Sequence, residues 1–273
     1  MAAFAGGAAQ AQVAGPSYTL SNPVPQAELR EFCADRPGAG TPPCTLDAGH
    51  FAVEVGVFGA EFDRRDDGRS DTYTAVDLLF RAGLNASLEA QLAWTPYTSV
   101  RERDRATGVR SKVSGVGDVT FALRQNLANP DGSGFSMALQ PFVTAPTGRD
   151  GIGDDGWSGG VILPVSIDLG SGWALGLAPE VARVGDADGD GHHLAYAGVI
   201  GVSRGFGDFS LGAELYSVVD DDPDGESDQS SVELSGTWVP PSLPNLQFDG
   251  GVNAGLDADT PDLAVYLGVA RRF

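Results

Sequence analysis

The most restrictive feature of this sequence is an alternation of apolar and polar residues with period two. It recurs about twelve times after His50, in runs near the length of a tilted membrane-spanning strand. Successive side chains of a strand point to opposite faces, so each run has an apolar and a polar side. Residues 50–62 set Phe51, Val53, Val55 and Val57 on one face and Ala52, Glu54, Gly56 and Phe58 on the other. Residues 72–84 set Thr74, Val76, Leu78 and Phe80 against Asp77 and Arg81, and 87–99 set Leu88, Ala90, Leu92 and Trp94 against Glu89 and Gln91. Residues 114–126 oppose Val119, Phe121 and Leu123 to Asp118, Thr120 and Arg124. Residues 134–146 oppose Phe135, Met137, Leu139 and Val143 to Ser136, Gln140 and Thr144. Later stripes repeat the pattern: Val161 to Ile167, Trp173 to Val181 opposite Glu180, Leu194 to Ile200, and Phe209 to Leu215 opposite Glu214. Val232, Leu234 and Trp238 then oppose Glu233, Leu246, Phe248 and Val252 oppose Asp249, and Leu263 to Val269 close the series.

Alternation alone does not say which face is inside, since a soluble sandwich would bury the apolar one. Two features favour an all-β transmembrane antiparallel barrel of about twelve strands over residues 50–273. First, the connections alternate: short near 84–87, 168–172, 204–208 and 241–245, slightly longer at 127–133, but long and charged at 63–71, 101–113, 145–157, 184–192 and 218–230, and more briefly at 257–261. Outer-membrane barrels pair short periplasmic turns with longer external loops. Second, the last alternating strand ends on Phe273, with Tyr266 and Gly268 before it; barrel proteins commonly end on an aromatic residue that the barrel-assembly machinery reads. No stretch approaches the roughly 18–20 apolar residues of a membrane helix. The net charge of -20 repels nucleic-acid phosphates.

Residues 1–11 read as the remnant of a signal peptide, with Ala9-Gln10-Ala11 in small-x-small form; a plain Ala/Gly tail is the alternative. Residues 12–49 read as an extended periplasmic arm or plug. Cys33 and Cys44 suit a disulfide outside the cytosol, and two unpaired thiols remain the alternative.

Several stretches resemble the family of outer-membrane proteins named for the meta-pathway of phenol degradation. They are Asp35-Arg36-Pro37, the run Thr45 to Phe51, Gly115 to Val119, Pro141 to Gly148, and the terminal Arg272-Phe273. The resemblance runs from about residue 23 to the end and implies a barrel that moves small, hydrophobic or aromatic compounds. The cysteine pair is not a feature associated with that family.

On this reading Glu54, Asp77, Arg81, Glu89, Asp118, Arg124, Gln140, Glu180, Glu214, Glu233 and Asp249 line the lumen. They form either a polar channel wall or a sealed network that fills the barrel. Asp35, Arg36 and Pro37 are expected where the arm enters or caps the periplasmic mouth, with Arg36 against a lumenal acid; a disordered leader is the alternative. Asp186, Asp188 and Asp190 match the start of an EF-hand loop, but Ala197 stands where a bidentate Glu is required, which leaves at most a weak calcium site. Arg101, Arg103, Arg105, Arg110 and Lys112 are expected either to meet lipopolysaccharide phosphates or to fold onto acidic neighbours. No cofactor is implied, and no H-E-x-x-H, P-loop or C-x-x-C motif occurs. The expectation is therefore a passive outer-membrane channel for a small solute. The alternatives are a closed barrel acting through its acidic loops and, as a minor one, a lipase-type enzyme.

Overall fold

In the bilayer core no water is available to satisfy backbone N–H and C=O groups, so a spanning sheet must have no free edge. The computed structural model, which describes residues 18–154, 156–186, 191–223 and 225–273, meets this condition with one closed antiparallel sheet. Its segments are β1 (Phe51–Arg64), β2 (Gly68–Gly83), β3 (Leu88–Trp94), β4 (Tyr97–Asp104), β5 (Arg110–Gly115), β6 (Val119–Ala128) and β7 (Phe135–Ala145). They continue with β8 (Ser158–Ile162), β9 (Val165–Gly170), β10 (Trp173–Gly185), β11 (His192–Phe206), β12 (Phe209–Asp220), β13 (Ser227–Trp238), β14 (Leu246–Gly255) and β15 (Leu263–Arg272). Three breaks divide what are otherwise single staves. β2 pairs with both β3 and β4, which are separated at Thr95-Pro96, and β5 and β6 follow the same division. β10 pairs with both β8 and β9, which are separated at Leu163-Pro164. The fifteen segments thus make a closed barrel of 12 staves, sealed where β1 pairs with β15 from Ala52↔Arg272 to Phe62↔Leu263.

The barrel is inside-out relative to a soluble protein. Leu211, Leu234 and Leu267 on the outer wall are 60%, 60% and 61% exposed, while Arg124 and Glu89 inside are 0% exposed. A soluble sandwich would show the reverse, so the exposed leucines decide for a lipid-facing wall. At the rim that holds both ends of the barrel, Trp173, Phe206, Phe209, Trp238 and Phe248 face outward, and Trp238 stacks between Phe209 and Phe248. Aromatic rings favour the membrane–water interface, so this girdle marks a bilayer boundary.

Two expected faces are corrected. A bulge at Val57 shifts the β1–β15 register between Gly56 and Phe58, so Phe58 pairs with outward Leu267 and points to lipid rather than lying with Glu54. Across from it Val76 sits at φ 62, so Thr74, opposite Gly59, faces the lumen with Asp77 instead of lying with Val76. The connections also differ from expectation. The stretches 63–71 and 101–113 are mostly strand, because β1, β2, β4 and β5 run beyond the rest of the wall and leave only 65–67 and 105–109 as turns.

The outer wall should tolerate charge poorly. Leu234→Arg, near the middle of its stave, is expected to destabilise the folded barrel by about 2–4 kcal/mol. Reversible denaturant unfolding in lipid vesicles measures this.

Candidate functional site

The arm enters at the rim of the short turns. Leu20 N–H donates to Leu84 C=O, and Thr45 N–H donates to Pro130 C=O. His50 ties arm and barrel together, with Nδ1 3.0 Å from the Phe273 carbonyl oxygen and Nε2 2.8 Å from that of Val24. Asp47 adds a second tie, 2.7 Å from Arg30 Nε and 3.2 Å from Arg272 Nη1.

From there residues 33–44 form a loop inside the lumen, closed at its base by the Cys33–Cys44 disulfide. Arg81 Nη1 donates to the Cys33 carbonyl at 2.8 Å, and Arg124 Nη1 donates to that of Cys44 at 3.2 Å. The same two arginines, both 0% exposed at the side chain, hold Asp35: Arg81 Nη1 at 3.0 Å and Arg124 Nη2 at 2.6 Å. The wall supplies Glu54, 2.8 Å from Arg81, and Glu89, 3.0 Å from Arg81 and 3.2 Å from Arg124. Gln140 accepts from Arg124 Nε at 2.6 Å. Backbone amides of the arm complete the network: Asp35 and Arg36 donate to Glu54, and Leu46 donates to Glu89. Buried charges are tolerated when paired and hydrogen-bonded in this way. Burial alone would raise the Asp35 carboxyl, but Arg124 and Arg81 outweigh it and hold the group below the usual carboxylate range.

The tip of the loop crosses to the opposite wall. Arg36 pairs with Asp249 at 3.1 Å. Gly38 N–H donates to the Tyr266 hydroxyl, which in turn donates to Glu233. Ala39 and Gly40 N–H both reach Glu214 at 3.0 Å. Gly38 is at φ 95, and a β-carbon there would collide with the Glu214 carboxylate, so glycine is required.

Space remains on either side of the tip. An outer cavity of about 410 Å³ lies against Arg36, Gly38 and Ala39 and is lined by Thr74, Asp77 and Tyr216. An inner one of about 400 Å³ lies between the arm and a wall of small residues, including Gly176, Gly201, Gly212 and Gly236. A third, of about 260 Å³, holds Glu180 and Gln140.

The expected lining residues therefore divide. Glu54, Arg81, Glu89, Arg124, Gln140, Glu214 and Asp249 hold the arm, directly or through Arg124; Glu233 does so through Tyr266; Asp77 and Glu180 line open space. Asp118 is a correction: its carboxylate accepts from Gly148 and Asp154 N–H and so anchors the external 146–157 loop. Pro37 borders the inner cavity. Asp186 bonds His193 Nδ1 at 2.8 Å, whereas Asp188, Asp190 and residues 1–11 lie outside the described residues. Sequence reading missed Asp47, Tyr266, Arg272 and Glu61. Glu61 could have been found by extending the alternation past the bulge at Val57, and Tyr266 by the unbroken alternation of Leu263 to Val269.

Closed staves, a lipid-facing wall and an aromatic girdle define an outer-membrane β-barrel. The chain belongs to the family described as "MetA-pathway of phenol degradation", whose model matches residues 34–273. No curated protein matches it. Among solved structures, the chain is similar to the CymD monoaromatic hydrocarbon channel at 10% identity, TM-score 0.44, over 82% of this chain and 88% of that one. It is also similar to Pseudomonas aeruginosa OccK11 (OpdR) at 11% identity, TM-score 0.37, over 82% and 95%. CdiB from Escherichia coli is similar at 12% identity, TM-score 0.41, over 82% and 63%.

Asp35→Ala leaves Arg124 short of a partner and should weaken docking of the arm by about 3–5 kcal/mol. Limited proteolysis should then cut within 33–44 while the barrel band persists. Because the Asp35 carboxyl is depressed, its contribution is complete above the ordinary value near 3.9 and is lost as pH falls through the lower folded value. Wild-type protection should thus hold at about pH 5 and fail only in stronger acid.

Proposed function

We propose that the protein is an outer-membrane channel for passive uptake of a small, hydrophobic or aromatic solute. The observation that carries this reading is that the arm occupies the lumen without filling it. Two cavities of about 410 and 400 Å³ meet at a tip held by a few hydrogen bonds and one ion pair. A void of about 150 Å³ is enough for benzene, so either holds a one-ring solute. The family description supplies the aromatic class. The inner cavity combines Phe32, Pro42 and Val199 with glycine and serine, which suits a flat, weakly polar molecule. Diffusion needs no energy source, and the arm is the plug that limits it.

A second reading, a closed barrel with a structural or surface-binding role, is favoured by the ion network that seals the Arg81–Arg124 side. Planar-bilayer recording separates the two. The channel reading predicts discrete conductance steps for the wild type and larger, more frequent ones for Asp35→Asn with Arg36→Gln. Silence from both variants, with folding shown by heat-modifiable gel migration, would leave the closed barrel.

The open lumen also carries a sign. Glu61, Asp77, Glu180, Glu214 and Glu233 line the cavities, and among the described residues Arg36, already paired with Asp249, is the only base that does so. Cations should therefore pass more readily than anions. A reversal potential measured across a potassium chloride gradient should take the sign of cation preference.

A further inference from the structure

Beyond the rim opposite the one that holds both ends of the barrel, β1, β2, β4 and β5 continue as a four-stranded extension. The register sorts its charges by face. Phe58, Ala75 and Tyr97 stand abreast on the outward face, so residues two, four and six positions further out along each strand share it. One outward row is Phe62, Asp71, Arg101 and Lys112. The next is Arg64, Arg69, Arg103 and Arg110: four arginines side by side on four neighbouring strands. Neighbouring strands are about 4.7–4.9 Å apart, and like charges directly opposite one another destabilise a sheet.

Acids were within reach of the fold, because the chain carries 37 Asp and Glu against 17 Lys and Arg. Only Asp71 joins these two rows, and it pairs with Arg69 at 2.8 Å. Arg101 lies over the Tyr73 ring at 5.1 Å. The side chains of Arg64, Arg103, Arg110 and Lys112 have no carboxylate partner among the described residues, although the Arg64 backbone N–H donates to Asp262 at 2.9 Å. Glu102 and Asp63 occupy the intervening positions and so face the other way. An arrangement that gathers guanidinium groups and keeps its own acids behind them is complementary to an external anion.

Position along the membrane normal selects that anion. Tyr97, Phe58, Tyr73 and Phe62 form the aromatic band of this face, which belongs at the bilayer interface. Arg101 lies four residues beyond Tyr97, about 13 Å along the strand, and less along the normal because staves tilt by roughly 35–45°. The two cationic rows thus stand at headgroup level on the side away from the periplasm. Guanidinium groups bind phosphate bidentately, which favours Arg over Lys at such a site.

We propose that the outward face of this extension, centred on Arg64, Arg69, Arg101, Arg103, Arg110 and Lys112, binds the phosphate groups of lipopolysaccharide in the outer leaflet. This holds whether or not the lumen conducts.

The test uses the full chain, refolded in detergent and checked by heat-modifiable migration. It is titrated with lipopolysaccharide, with enzymatically dephosphorylated lipopolysaccharide, and with inorganic phosphate. The expected result is saturable binding of the phosphorylated form alone. The variant R101Q/R103Q/R110Q/K112Q should lose at least tenfold in affinity while its folding is unchanged. The milder R103K/R110K should keep part of the affinity, since it keeps charge but not the bidentate fork. Equal binding of the dephosphorylated form, or equal affinity of the glutamine variant, would overturn the proposal. Inorganic phosphate binding as tightly as lipopolysaccharide would overturn the lipid as the ligand. Self-association that the glutamine variant abolishes, with lipopolysaccharide binding unchanged, would assign the face to a second copy instead.

Discussion

Everything in this molecule follows from the closure of the sheet in a medium without water. Because each backbone group must be paired around the ring, β1 has to meet β15, and side chains have only two directions available. The lipid takes one direction and demands apolar residues. The other direction faces a lumen too wide for twelve staves to fill with their own side chains, and the arm enters that space. Polar residues inside are thus not an exception to the packing of the protein but its core, with Arg81, Glu89 and Arg124 among its most buried groups.

The arm and the wall are matched by charge. One wall offers two arginines and two glutamates, and the arm supplies Asp35 between the arginines and three amides to the glutamates. The opposite wall offers acids, and the tip answers with Arg36 and the amides of Ala39 and Gly40. The first set is dry and paired throughout; the second is lighter and borders open space. That asymmetry leaves open space on the β9–β13 side, where glycine and serine line the wall.

Much of the fold was legible because period two is a strong signal where one face meets lipid. Strand number, the lipid-facing stripes and most inward residues could be read from residues such as Leu234 beside Glu233. What could not be read depends on features with no pattern. A bulge at Val57 and the φ of Val76 reverse the faces of Phe58 and Thr74, and neither residue type announces this. The 63–71 and 101–113 stretches looked like loops because charge outside the membrane no longer alternates with apolar residues, although pairing continues. Asp118 sits in the alternation as a lining residue, yet the loop that folds back to it is far away in sequence. The row Arg64, Arg69, Arg103 and Arg110 exists only once register is known.

The central claim is that the arm is docked inside the barrel through amides that donate to wall carboxylates. Amide hydrogen exchange of the isotope-labelled, folded protein tests it most directly. The amides of Asp35, Arg36, Ala39, Gly40 and Leu46 should exchange far more slowly than those of a free peptide. Those of Asp35, Arg36 and Leu46, at the dry wall, should be slowest. Exchange of all five at the free-peptide rate, beside protected staves, would contradict the account.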